Sequence, residues 1–178
     1  LRAPIASLQG WVADTKLAPD RLSELPPTGA AGRLASRLDL GRLGAFGHSM
    51  GGVTSGQFCL EDRRCRAGLN LDGIPQYGTM IDQRLSVPFL MVYSARPGRA
   101  GASDAIYRRA APRYDRVNVQ NTLHLDFSDM VLWGGPLRQG ALGTLAPARA
   151  AEITRAIVLQ YFDQELRGKP SPLLAGKE

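Results

Sequence analysis

Apolar residues alternate along the chain between two rhythms. Short continuous apolar runs are separated by stretches in which apolar positions return every three or four residues. Leu1, Ile5, Leu8 and Val12, with Trp11 beside them, make a helical stripe expected to cover one face of a sheet. Residues 18–32 contain Pro19, Pro26, Pro27, Gly29 and Gly32 and read as a loop. A brief helix is expected within 30–38, with Leu34 and Leu38 on one side. Apolar runs predict strands near 42–46, 67–71 and 87–93, and 115–119 reads as a fourth strand. Between them, 52–58 is small and compact, as in a helix packed tightly on a sheet, and 104–111 reads as another helix. Residues 134–143 form a Gly-rich loop. The clearest helix is 147–166: Pro147 suits its first turn, Ile153, Ile157, Leu159 and Phe162 give an apolar side, and Gly168 with Pro170 stops it.

Strands that are apolar throughout are buried on both faces, and their alternation with helices predicts a parallel sheet covered on both sides, an α/β fold. No internal repeat and no second domain is visible, so residues 1–178 read as a single domain.

Composition narrows this little. The chain is 44% hydrophobic and 21% charged, ordinary for a globular protein, and no apolar stretch approaches the roughly 20 residues that span a bilayer. Stable membrane insertion is not expected. The net charge of +6 comes from scattered arginines without interleaved aromatics, which argues against a nucleic-acid groove. Cys59 and Cys65 flank the charged stretch Glu61-Asp62-Arg63-Arg64. A short-loop disulfide and two buried thiols are both compatible with that spacing, and a bridge would point to an exporting compartment. Neither has a partner at metal-ligand spacing, so no metal is expected.

The most informative stretch is Gly47-His48-Ser49-Met50-Gly51-Gly52, directly after the first strand and before the compact helix. Gly-x-Ser-x-Gly in that setting is a nucleophile elbow. Ser49 takes strained backbone angles that hold Oγ clear, and the flanking glycines let strand and helix approach closely. The Met50 N–H, at the helix start, points where an oxyanion would form. A nucleophilic serine needs a base, and the base an orienting acid. The chain has two histidines. His48 precedes Ser49, and the elbow sends its side chain away from Oγ, so it reads as a packing or hydrogen-bonding residue. His124 follows the fourth strand, at the sheet edge that carries the elbow. The acid has two contenders. Asp72 ends the strand after the elbow strand. Asp104 follows the third strand but sits late in a Gly/Pro loop, where it makes a good helix N-cap. Asp72 is the favoured one. Asp126 and Asp129 stand too close in sequence to His124 to orient it.

The order Ser, Asp, His is that of α/β-hydrolases. Gly47-His48-Ser49-Met50-Gly51-Gly52, then Leu69-Asn70-Leu71-Asp72-Gly73, then His124-Leu125-Asp126-Phe127-Ser128-Asp129 resembles the platelet-activating-factor acetylhydrolase branch, in its plasma and intracellular type II forms and their bacterial relatives. The long helix ending Tyr161-Phe162-Asp163, with Leu166 and Gly168, continues the likeness. It implies a catalytic Ser49, Asp72 and His124, an oxyanion N–H at Met50, no cofactor, and a small-molecule or lipid ester as substrate, with short acyl groups of phospholipids in view. A polyester or general lipase-type esterase is the alternative.

One departure is large. Hydrolases of this kind carry several strands before the elbow strand, and a loop there donates the second oxyanion N–H. Residues 1–42 contain no such segment. A partial α/β-hydrolase fold is therefore expected, the carboxyl-terminal part of a longer enzyme, from the elbow strand onward. A truncated domain without catalysis, acting only in binding, is the rival from another class.

Overall fold

The computed structural model describes residues 2–74, 82–133 and 140–175. Leu1 of the first helical stripe and residues 134–139 of the expected Gly-rich loop lie outside the described residues. Four parallel strands, β1 (Leu43–His48), β2 (Cys65–Leu71), β3 (Phe89–Ser94) and β4 (Tyr114–Val119), lie side by side in chain order. Helices α3 (Met50–Glu61) and α4 (Asp104–Ala110) pack on one face and, after the short α5 (Met130–Trp133), α6 (Pro147–Arg167) packs on the other.

The strand sequences explain the two faces. Side chains alternate along a strand, and every residue of β3 is buried. Phe89, Met91 and Tyr93 pack with Phe58 of α3 and Tyr107 of α4. Leu90 and Val92 face the other way, onto Ile157 and Tyr161 of α6. In β2 the pairing with β1 jumps from Leu43–Cys65 to Gly44–Ala67, a bulge at Arg66. An extra residue re-aims the side chain before it. Cys65 thereby joins the α3 face, while Ala67, Leu69 and Leu71 face α6. There Cys65 is bonded to Cys59 of α3, with the two Cα atoms 4.9 Å apart.

The amino-terminal region differs from the sequence reading. Helix α1 (Arg2–Ser23) runs through Pro19 into the expected loop, and α2 covers Gly29–Ala35. An interior proline forfeits a backbone bond and costs about 3 kcal/mol. The last turns of α1 are tied down by tertiary contacts, with Lys16 Nζ 2.6 Å from Glu61 Oε2 and Arg64 Nη1 2.6 Å from Asp20 Oδ1. Nor does α1 cover the sheet. Its Leu8 and Val12 pack on Val53 of α3, because α3 already occupies that face. Residues Gly52 to Cys59 of α3 are all buried, as a helix between a sheet and a second helix must be.

β1 forms one margin of the four strands. Phe46 is 55% exposed on it, its ring 6.0 Å from that of Phe162. A trough of about 940 Å³ follows this margin between α1 and α6, lined by Trp11, Leu22, Phe46, Phe58, Phe162 and Leu166 among others. No helix among the described residues is long and apolar enough to cross a membrane.

Candidate active site

Parallel strands bring all their carboxyl ends to one edge, and the site is built there. Ser49 follows β1 with φ 57° and ψ −121°. An L-residue occupies that region only at a cost of about 1–3 kcal/mol. Neighbouring structure fixes it: the Ser49 N–H donates to Leu71 O at 2.9 Å, and its carbonyl accepts from the Gly52 N–H at 3.1 Å. Glycine is required at Gly47 and Gly52, whereas at Gly51, expected from the sequence to be needed too, a Cβ would meet nothing. A Cβ on Gly47 would collide with the Gly51 backbone, and one on Gly52 with the Asn70 side chain. Met50 is the first residue of α3, so its N–H is among those a helix leaves without an internal partner.

The residues singled out in the sequence meet beside this turn. His124 Nε2 is 2.9 Å from Ser49 Oγ, and His124 Nδ1 is 2.8 Å from Asp72 Oδ2. Asp72 lies just past β2, also at positive φ (56°), and is 1% exposed. His124 opens a 3-10 turn (His124–Phe127). That turn is anchored by Asp126, whose Oδ2 accepts the Leu123 N–H at 2.7 Å and the Gly143 N–H at 2.6 Å. Asp126 is thus committed to the backbone, and Asp129 is exposed. Asp104, the other contender, belongs to a separate cluster. It accepts from Tyr114 Oη at 2.6 Å, Tyr93 Oη at 2.9 Å and Arg116 Nη1 at 2.6 Å.

Several partners were not legible in the sequence. Asp72 Oδ1 accepts the Ser94 N–H at 3.1 Å and Arg99 Nε–H at 2.9 Å. Its Oδ2 accepts Ser94 Oγ–H at 2.9 Å and Arg96 Nη2–H at 2.7 Å, besides His124. Burial pushes the Asp72 carboxyl up. Hydrogen bonds from His124, the Ser94 N–H and Arg99 outweigh it and hold the carboxyl well below the usual range. His48 packs on His124: its Nε2–H donates to the His124 carbonyl at 2.7 Å, with ring centroids 4.4 Å apart. Burial and the neighbouring imidazole keep the His48 pKa below its ordinary value.

Ser49, Met50, Val53, Asp72, Gly73, Ile74, Arg96 and His124 line a cleft of about 170 Å³. The larger trough at β1 contains none of the Ser49, Asp72 and His124 set. It reflects an uncovered sheet margin, not the place where the polar groups converge. Among the described residues no cluster of His, Cys, Asp and Glu has metal-binding geometry.

No protein-family model matches the chain, nor does any curated protein. Solved structures do. A ferulic acid esterase from Streptomyces cinnamoneus is 29% identical with a TM-score of 0.74, over 96% of this chain and 52% of its own. A dienelactone-hydrolase-like promiscuous phosphotriesterase from metagenomic libraries is 16% identical with a TM-score of 0.56, over 90% of this chain and 66% of its own. The chain therefore spans between half and two thirds of the length of these structures. The second likeness concerns fold alone. The likeness to the ferulic acid esterase is consistent with the α/β-hydrolase superfamily. Neither neighbour is a platelet-activating-factor acetylhydrolase, and that narrower likeness rests on the sequence motifs.

Proposed function

We propose that the chain is a serine esterase acting through an acyl-enzyme. The observation that carries this reading is the unbroken line Ser49 Oγ, His124 Nε2, His124 Nδ1, Asp72 Oδ2, with links of 2.9 and 2.8 Å. Ser49 Oγ attacks the ester carbonyl while its proton passes to His124 Nε2. Asp72 accepts from Nδ1–H and stabilises the imidazolium. The Met50 N–H, at the positive end of α3, supports the oxyanion. His124 then protonates the departing alcohol, and water activated by the same imidazole releases the acid from Ser49.

The preferred substrate is an ester with a small acyl group, the acetyl ester of a phospholipid being one candidate. The sequence motifs around Ser49, Asp72 and His124 support this. A hydroxycinnamoyl ester is the second reading, favoured by the likeness to the ferulic acid esterase. The β1 margin, with exposed Phe46 over an apolar trough, supports a further part of the proposal. The sheet continues there through a strand from outside residues 1–178, and that region also supplies the second oxyanion donor. One such donor is worth about 100- to 1000-fold in turnover, so residues 1–178 alone are slow.

Long-duration assays with p-nitrophenyl acetate, p-nitrophenyl decanoate and methyl ferulate test this. The acetate is expected to exceed the decanoate by at least about tenfold in kcat/KM, with no turnover above background in Ser49→Ala. Preference for the decanoate would remove the short-acyl reading, and preference for the ferulate would favour the second.

A further inference from the structure

Resting on the esterase reading, we infer that the site selects esters carrying a negatively charged group close to the scissile bond, and that Arg96 is the residue that reads it.

The Asp72 carboxylate has more positive charge around it than it needs. Arg99 is 6% exposed, with Nε 2.9 Å from Asp72 Oδ1 and Nη2 2.6 Å from the Gly73 carbonyl. That guanidinium alone balances the carboxylate, and with Ser94 it already satisfies Asp72 Oδ1. Arg96 is a second guanidinium on the same acid, with a different character. Its side chain is 36% exposed and lines the cleft with Ser49 and His124. Nε–H donates to Ser94 Oγ at 3.2 Å and Nη2–H to Asp72 Oδ2 at 2.7 Å. Nη1 has no partner among the described residues, and Asp72 is the one carboxylate there within salt-bridge distance of Arg96.

Charges then add simply. Asp72 contributes −1, Arg96 and Arg99 each +1, so with His124 neutral the group carries a net +1. Arg96 Nη2 lies 3.4 Å from His124 Nδ1. Both are donors converging on Asp72 Oδ2, so the Arg96 charge is held beside the imidazole without accepting anything from it. A third donor on one oxygen adds little to orienting His124. A fixed guanidinium whose Nη1 has no partner among the described residues, in a cleft of about 170 Å³, instead offers a carboxylate or phosphate a charge-assisted hydrogen bond, close to where the ester must sit. Its pairing with Asp72 and Ser94 pre-orients it. The anionic group can sit on the alcohol or the acyl side; the chemistry that Arg96 reads is the same.

The test compares matched esters, charged and neutral. For the alcohol side these are 3-acetoxybenzoate and methyl 3-acetoxybenzoate; for the acyl side, monoethyl glutarate and ethyl pentanoate. Turnover by the 178-residue chain is followed by NMR over hours. The anionic member of at least one pair is expected to be favoured by about tenfold in kcat/KM, the scale of one partly exposed charged hydrogen bond. Arg96→Gln should abolish that preference, and Arg96→Lys should keep part of it. The readout is the ratio within a pair, which cancels any loss of Ser49–His124 geometry common to both esters. In parallel, binding of 3-hydroxybenzoate and 3-hydroxybenzamide is titrated by NMR. Tighter binding of the anion, dependent on Arg96, is expected whether or not turnover is seen. Hydrolysis with a ratio that Arg96→Gln leaves unchanged overturns this inference and leaves the esterase reading standing. Arg96-dependent anion binding without any hydrolysis overturns the esterase reading, and with it the selection among esters, and leaves Arg96 as an anion-binding residue. Absence of both overturns both.

Discussion

Asp72 and Asp104 are the two candidate acids of the sequence, Asp72 at the end of one apolar strand and Asp104 beyond another, after a Gly/Pro loop. In the structure their surroundings have little in common. Asp72 is 1% exposed and receives two guanidiniums, a serine and an imidazole. Asp104 receives two tyrosine hydroxyls, with Arg116 Nη1 2.6 Å and Arg108 Nη2 3.5 Å away on the outer side. Burial pushes the Asp104 carboxyl up, but Tyr114, Tyr93 and the Arg116 charge bring it below its ordinary value. Both carboxylates are held ionised, so a depressed pKa does not distinguish a site acid from a structural one. The distinguishing fact is what else stands there: only Asp72 has a base whose far nitrogen reaches a strained serine.

The largest expected difference between the two is in turnover. Asp72→Asn should reduce kcat by about 10⁴-fold, as for the acid of a serine triad. Asp104→Asn should leave kcat/KM within about threefold, because mutations away from the chemistry act through stability alone. Equal losses in the two variants would erase the distinction. Stability should separate them next. Asp72→Asn leaves Arg99 buried without its counter-charge, a loss of about 3–5 kcal/mol in denaturant unfolding. Asp104→Asn keeps acceptor capacity for the tyrosines and loses about 1 kcal/mol. A stability loss at Asp104 exceeding that at Asp72 would contradict this ordering.

The fold was largely readable because apolar runs mark strands covered on both sides, and β3 is buried throughout. The reading failed where tertiary contacts overrode local chemistry. Pro19 marked a helix end, yet the ties from α1 to Glu61 and Arg64 carry the helix past it. At the site, Ser49, Asp72 and His124 were legible because a Gly-x-Ser-x-Gly turn and strand ends fix positions as well as residue types. Arg96 and Arg99 lie in a Gly/Pro-rich loop of an arginine-rich chain, where any arginine reads as a solvated charge. The available signal was positional. Ser94 ends β3, the parallel neighbour of β2, and Leu71 pairs with Val92, so residues just past each strand must meet. His48 was read as a packing or hydrogen-bonding residue, and it is both, with its Nε2–H on the His124 carbonyl and its ring against that of His124.

The smallest effect is the pH dependence of stability. The folded pKa values of His48 and Asp72 are both depressed. Each therefore contributes stability that is complete above its unfolded pKa and is lost as pH falls through the folded one. Stability should begin to decline below about pH 6.5 through His48 and fall again below about pH 3.9 through Asp72. His48→Gln should remove the first decline, and Asp72→Asn should make the second shallower, with Asp104 accounting for part of what remains. An unfolding midpoint flat from pH 7 to 3 would contradict both assignments.

The central claim is that Ser49 is an activated nucleophile, and a fluorophosphonate reads this without depending on substrate choice. The chain is incubated with the reagent, and the adduct is located by peptide mass spectrometry in wild type, Ser49→Ala and His124→Ala. A single adduct on Ser49, absent in Ser49→Ala and formed at least about 100-fold more slowly in His124→Ala, is the predicted result. An adduct that persists in Ser49→Ala, or wild-type labelling no faster than that of His124→Ala, would contradict it.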